Sequence, residues 1–470
     1  MRRRAFVQAA AASATAMVAG CATATTTAPA GTATPAGTAT PVGPATASGS
    51  AAGSGPAVAT ATATASGSSA GGTAAAKPVT VRFQSLAFQD PTIAATKKIV
   101  ASWNSTHPET VVQYVQGSWD SVHDQLVTQF QGGTAPDVIH DEAADISGFA
   151  TQGYLADLSP HLSAGTRAAV AQGVWDTVTV GGKVVGAPTL LQSYVVFANT
   201  ALLKRAGVRP PAGATLTWDA FAALAKAATG HGVFGLGWGL MQPTATVMSL
   251  GLNFGGRFFT TTGGRTTIAV GQPELEAPRR IHAMAYQDRS LDPTSLGQAG
   301  ADVFTAFLKG RYAMVVGGNY SAQQLTQTAP AGFTWTVLPA LTGTSSAQAA
   351  DPQTLSVSAQ SPNVAAAAAF VDYCMQASNL SAVAQGDWLI PSSAAARAAV
   401  AASTGGRDGW RQTLAYGATL TRAPFQSVNA YPQWKTQVAT PALQEYLADR
   451  ISLDALGKKL TQGWSQVANA

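Results

Sequence analysis

The sequence predicts an α/β protein whose folded body begins near residue 78 and is long enough for two domains. Three observations carry this. Residues 22–76 contain only Ala, Thr, Gly, Ser, Pro and Val, which cannot bury a core. Beyond them, apolar residues alternate in short runs and then recur every three or four positions, the pattern of strands followed by helices. Composition agrees, with 46% hydrophobic and 11% charged residues, as in a well-packed globular body.

The first 20 residues read as a signal peptide. Arg2, Arg3 and Arg4 precede an uncharged apolar run to Gly20, too short to span a bilayer. Arg3-Arg4-Ala5-Phe6-Val7 resembles a twin-arginine pattern, and Val18-Ala19-Gly20-Cys21 resembles a lipobox, with Cys21 as the lipidated residue. Residues 21–77 then form a lipid-anchored tether. Cys374, the other cysteine, is left without a partner and is expected as a buried free thiol. The net charge is +5, and loss of the three arginines brings it near +2, so nucleic acid is not an expected partner.

In the body, Val79, Val81 and Phe83 mark a strand with one buried face. Asp90-Pro91 is expected to cap and start a helix whose inner face carries Ile93, Val100 and Trp103. Thr110 to Val115 is the next strand. Val122, Leu126 and Phe130 share a helical face that ends at Gly132-Gly133. Pro136 leads into a strand, Asp137 to Ile139, that empties into His140, Asp141, Glu142 and Asp145. Such a strand end is where an open α/β sheet places ligands. Thr177 to Val180 and Lys183 to Ala187 flank Gly181-Gly182, a hairpin with a primed turn. Asn199 and Thr217 are expected helix caps, and Ser361-Pro362-Asn363 opens a helix reaching about Tyr373.

Several of these segments together resemble the family-1 extracellular solute-binding proteins, the sugar-type binding proteins of ABC importers that include maltose-binding protein. The residues that carry the resemblance are Gly133-Thr134-Ala135-Pro136-Asp137-Val138 with Gly153-Tyr154-Leu155-Ala156-Asp157-Leu158, then Gly182-Lys183-Val184-Val185-Gly186-Ala187-Pro188, and Thr217-Trp218-Asp219-Ala220-Phe221. Phe304 to Val315, Val337-Leu338-Pro339 and Asn429-Ala430-Tyr431-Pro432-Gln433-Trp434 follow in the family's order. Tyr320 stands where the family usually has tryptophan. The resemblance implies a two-lobed, class II periplasmic-binding-protein-like fold. Each lobe would be a mixed, mostly parallel sheet flanked by helices, with the ligand cleft between them. It places residues 78–188 and 319–353 in the N-terminal lobe and 189–318 and 354–470 in the C-terminal lobe, with crossings near Pro188, Gly318 and Thr354. It also implies a monomer, exported and held by lipid on the outer face of the cytoplasmic membrane, that hands a mono- or oligosaccharide to ABC permease subunits. No cofactor, metal or catalytic residue is expected.

A sugar presents apolar C–H patches to aromatic rings and vicinal hydroxyls to planar polar groups. The candidate ligand contacts are Phe88, Gln89, Trp119, Asp120, Asp141 and Asp145 in the first lobe. In the second they are Tyr194, Trp238, Asn253, Trp388 and Trp434, with Tyr320 near a crossing. Trp103 and Trp218 sit in helical apolar patterns and are expected in the core. The His140 to Asp145 cluster matches no strong metal motif. An anionic ligand such as a glycerol phosphodiester would need converging cations, and Arg82, Arg257, Arg311 and Arg422 are the ones available. Asp141 with Asp120 or Asp351 could pair as the acids of a glycosidase, and a surface sugar sensor or adhesin would use the same fold without a permease.

Overall fold

The structure, a computed structural model, describes residues 77–119, 121–428 and 430–468. The signal peptide, Cys21, the tether and Asp120 lie outside the described residues.

Two sheets organise the body. The first has six strands in the order Ile390–Pro391 (β10), Ala187–Gln192 (β4), Asp351–Val357 (β9), Val138–Glu142 (β3), Val79–Ser85 (β1) and Thr110–Gln116 (β2). β1 runs parallel to β2 and β3, while β9 runs antiparallel to both β3 and β4. The second has four strands in the order Trp335–Val337 (β8), Tyr194–Asn199 (β5), Tyr312–Gly318 (β7) and Phe234–Trp238 (β6). β7 is parallel to β6 and antiparallel to β5.

Local chemistry explains the elements. Helix α1, Asp90–Thr106, starts one residue earlier than expected, with Gln89 as its cap residue and Asp90 inside its first turn. Trp103 is buried on its inner face and donates through Nε1 to Thr110 O at 3.0 Å. Asn104 exchanges two hydrogen bonds with the Val112 backbone, which fixes the helix to β2. Helix α2, Val122–Gln131, buries Val122, Leu126 and Phe130. Gly133 takes the left-handed conformation at its exit (φ 66°), and Thr134 N closes on Gln129 O at 2.8 Å. Asp137 then ties three segments together: its carboxylate accepts from Arg82 N at 2.7 Å and from the Ser361 hydroxyl, and its carbonyl accepts from Ser358 N. Gly181 and Gly182 both have positive φ, so the primed hairpin turn is present. Asn199 and Thr217 cap their helices through Leu202 N and Ala220 N. Cys374 is a buried free thiol.

Strand pairing differs from the expected division of the chain. Pro188 and Thr354 lie inside β4 and β9, both in the first sheet. β8, expected with the first lobe, pairs with β5 in the second sheet. Helices Val364–Cys374 and Ala377–Asp387, expected with the second lobe, pack on α1 and the first sheet. The chain passes from the first sheet to the second through one residue, Ser193, between β4 and β5. It returns at Ala350, where the short strand Gln348–Ala349, paired with Leu420–Thr421 outside both sheets, leads into β9, and it crosses once more beyond Leu420–Thr421, since residues from Ala423 onward pack in the second core. The reason is local: in residues 187–199 only the polar pair Gln192-Ser193 separates two strand-like stretches, and so short a break does not announce a change of partners.

Both joints are held by buried side-chain amides. Asn319, fully buried after β7, accepts from Ser193 N at 2.9 Å and donates to Trp388 O at 2.7 Å. Gln348, also fully buried, accepts from Tyr194 N at 2.9 Å and donates to Tyr194 O at 3.0 Å. Each amide matches a donor and an acceptor that no strand partner supplies.

Candidate functional site

The carboxyl end of β3 delivers His140, Asp141 and Glu142. Register sets Glu142 opposite Gln353 and Gln192 opposite Asp351, so one edge of the first sheet collects these polar side chains. Gln192 Nε2 donates to Asp351 Oδ2 at 3.3 Å. His140 is buried and neutral: Leu86 N donates to its Nδ1 at 3.0 Å, which puts the proton on Nε2, facing Gln353 Oε1 at 3.1 Å. Burial lowers its pKa to about 4, only partly offset by Gln353.

The acids respond as a group. Burial first, then the charges of Asp351, Asp145 and Asp141, push the Glu142 carboxyl well up, against the pull of Lys435. Burial also raises Asp351, opposed by Lys435 and by its bond from Gln192, with Asp145 adding to the rise. Asp141 is fully buried and rises to about 7 by desolvation, although Glu142 N donates to its Oδ1 at 2.8 Å. Its Oδ2 and the Oδ1 of Asp351 are buried without a hydrogen-bond partner.

Aromatic groups of the second lobe lie near these acids. Tyr194 opens β5; burial raises its hydroxyl, a hydrogen bond with Thr246 opposes this, and Tyr320, Asp351 and Glu142 act on it electrostatically. Tyr431 is raised by burial and then by Tyr194 and Asp351. Tyr320 sits just past β7, half exposed, with Glu142 acting on its phenol after burial. Its ring lies so close to Gly318 that a Cβ there would stand 2.2 Å from a ring carbon, so any other residue would push the ring aside. Lys435 is the first residue of a π-helical turn, Lys435–Ala439, a geometry common at functional sites.

Of the residues expected from sequence, Asp141, Asp145, Tyr194 and Tyr320 fall in this group, and Trp119 adjoins it through an edge contact with the His140 ring at 5.5 Å. Phe88 is 74% exposed at the β1–α1 turn, and the next residue, Gln89, bonds through its backbone to the Asp387 carboxylate. Four candidates are buried instead. Asn253 is spent on structure, accepting from Trp218 Nε1 at 2.9 Å and donating to Ala347 O at 2.8 Å. Trp238 lies in the second core beside Trp218. Trp434 donates to Leu460 O among Phe258, Phe259 and Trp464. Trp388 is stacked on Trp410 at 4.2 Å. Arg311 is committed to Asp292, at 2.7 and 3.1 Å.

Sequence reasoning passed over Glu142, Asp351, Gln192, Tyr431 and Lys435 as ligand contacts. A signal existed for two. Glu142 is two residues beyond His140 and so shares its face, and Tyr431 lies in the Tyr-Pro-Gln-Trp segment, from which Trp434 drew the attention.

The profile described as "bacterial extracellular solute-binding protein" matches residues 88–379. The chain belongs to that family. It is 43% identical over 386 residues, 81% of its length and 85% of the relative's, to a protein named an uncharacterized lipoprotein in the oleD 5′ region of Streptomyces antibioticus. Its fold is shared with a cyclic α-maltosyl-1,6-maltose binding protein from Arthrobacter globiformis (TM-score 0.70, 18% identity, covering 83% and 99% of the two chains). It is shared as well with maltose-bound MalE3 of T. maritima (TM-score 0.67, 18% identity, 83% and 99% covered). These are two-lobed binding proteins, and the two sheets described above are the cores of the two lobes. As a member of the family, the chain is a substrate-binding protein of the ABC-importer type, and its S. antibioticus relative is a lipoprotein.

Proposed function

We propose that the protein captures a carbohydrate between its lobes, closes on it by bending at Ser193 and Ala350, and delivers it intact to ABC permease subunits. The observation that carries this reading is the grouping of acids and an amide at one end of the first sheet's strands, Glu142, Asp351 and Gln192, with Tyr194 of the second sheet and Tyr320 and Tyr431 beside it. Such a set offers planar hydrogen-bonding groups to hydroxyls and rings to C–H faces. The sugars named for the two neighbouring structures support the class of ligand. Closure excludes water and strengthens each polar contact. The chain is exported, cleaved before Cys21, and anchored there by lipid as a monomer.

Thermal melting of the mature chain with Cys21→Ser, against mono- and oligosaccharides, tests the reading. A ligand that binds only the folded state raises the midpoint by mass action. A shift with one sugar class, recovered intact, is expected; no shift with any sugar overturns the carbohydrate assignment. Mass spectrometry of the membrane-derived protein tests lipidation, and an unmodified Cys21 would refute the anchor.

A further inference from the structure

The helix Ala377–Asp387 ends where α1 begins. Asp387 is buried, and its Oδ1 accepts from the Thr92 hydroxyl at 2.5 Å. Its carboxylate also accepts from the Gln89 backbone. It thus serves the first turn of α1 from 295 residues away, a task expected of Asp90. The approach is close: a Cβ on Gly386 would stand 2.4 Å from Thr92 Oγ1 and 2.6 Å from Thr92 N. The turn before α1 is tied at two further points, where Leu86 N donates to His140 Nδ1 and Gln116 Nε2 donates to Ala87 O. Phe88 stands among these ties with its side chain exposed.

Trp388 comes next, and the second lobe holds it. Its carbonyl accepts from Asn319 Nδ2, just past β7, at 2.7 Å, and its ring lies 5.6 Å from that of Trp335, which opens β8. Trp410 stacks on it at 4.2 Å. Ile390 then returns the chain to the first sheet in β10. The φ of Trp388 is 56°. A residue with a side chain keeps that left-handed conformation only where its surroundings over-determine it, and such positions gather at clamps and switches. Asn319 in turn accepts from Ser193 N, at the crossing between the sheets.

Resting on the reading that the lobes close on a ligand, we propose that Asp387 is a positioning residue for capture: with Trp388 it forms a strut that sets the Phe88–Gln89 rim of the first lobe from the crossing at Ser193. The ties to His140 and Gln116 stay within the first sheet, whereas the tie through Asp387 leads to residues that the second lobe grips. When the second sheet swings, Asn319 and Trp335 carry Trp388 with them, and Asp387 passes the shift to the start of α1.

Hydrogen-exchange mass spectrometry of the mature chain with Cys21→Ser, without ligand, tests the strut. Peptides covering residues 86–93 are compared with peptides of α2, which report general loosening. Asp387→Ala should speed exchange in 86–93 about tenfold, and Asp387→Asn, which keeps an oxygen acceptor, should restore most of the protection. Asn319→Ala, whose lost side-chain bonds go to Ser193 and Trp388, should speed the same peptides about threefold, and should add nothing once Asp387 is Ala. A purely local cap would show the first effect and not the second. Should Asp387→Ala fail to fold, Gly386→Ala, which wedges the two helix ends apart, takes its place. Calorimetric titration with maltose and maltotriose is the second arm. Asp387→Ala and Phe88→Ala should each weaken the sugar that binds about tenfold, and together no more than either alone. The strut is overturned if Asn319→Ala leaves 86–93 in step with the α2 peptides, or if its effect persists in full beside Asp387→Ala. Unchanged affinity in Asp387→Ala overturns the role in capture. Should neither sugar bind, the exchange arm still decides the strut, and the failure counts against the carbohydrate reading alone.

Discussion

Replacing Asn319 by alanine should loosen the joint between the two sheets. The side chain is fully buried and serves two backbone groups from distant parts of the chain, Ser193 N–H and Trp388 C=O. Truncation strands both. A buried unsatisfied polar group costs about 1–3 kcal/mol, and neither group has a strand neighbour to turn to. The expected loss is therefore about 2–5 kcal/mol. Urea unfolding followed by tryptophan fluorescence measures it. With a denaturant slope of about 3 kcal/mol/M or more, the midpoint falls by roughly 1 M. Asn319→Asp is an informative companion. It keeps an acceptor for Ser193 N–H but sets a second oxygen against the Trp388 carbonyl, so it should cost nearly as much. A loss under about 0.5 kcal/mol for Asn319→Ala, the range of ordinary surface substitutions, would refute the account of the joint.

Other outcomes follow from the same geometry. Asp141 has its pKa raised from 3.8 to about 7. Between those values the folded state holds a proton that the unfolded state has released. Stability should therefore fall as pH rises through that window, by up to about 4 kcal/mol, and Asp141→Asn should flatten the profile in a melting series. Gly318→Ala brings a methyl into the Tyr320 ring. It should displace that ring and weaken ligand binding about tenfold in calorimetry, with a much smaller effect on the melting temperature. Asp137→Ala removes acceptors for Arg82 N–H and the Ser361 hydroxyl and should cost about 2–4 kcal/mol in urea without changing ligand preference. Cys374 is buried, and burial raises its thiol pKa. Ellman's reagent should stay silent on the native protein and report one thiol in denaturant when Cys21 is Ser.

What the sequence made legible was whatever the chain settles within a few residues. Asn199 and Thr217 cap helices because an N-cap oxygen needs only a backbone N–H three positions on. Gly181-Gly182 turns a hairpin for an equally local reason. Asp141, Asp145, Tyr194 and Tyr320 were legible because strand ends and their first loops can be read from periodicity. The buried tryptophans were not. Trp238, Trp388 and Trp434 look like sugar platforms by residue type, and only packing against Trp218, Trp410 and Phe259 decides that they are core. Asn253 failed as a candidate in the same way, since its partners are 35 and 94 residues away. Glu142 and Asp351 are far apart along the chain and become neighbours only through the antiparallel register of β9 with β3. The passage between sheets was hidden because a polar break of two residues, Gln192-Ser193, is too short to read as a boundary.

That passage has a mechanical meaning. The outgoing strand crosses at Ser193 and the returning strand at Ala350, and next to these joints Gln192 pairs with Asp351 while the Gln348 side chain grips Tyr194. These crossings, with the third where Leu420–Thr421 pairs with Gln348–Ala349, lie side by side and behave like the pins of a door. Rotation about the line through them changes few torsions, whereas sliding or twisting one leaf against the other strains every pin at once. The leaves should therefore swing along a single arc, and a brace placed anywhere off that line would stop the whole movement.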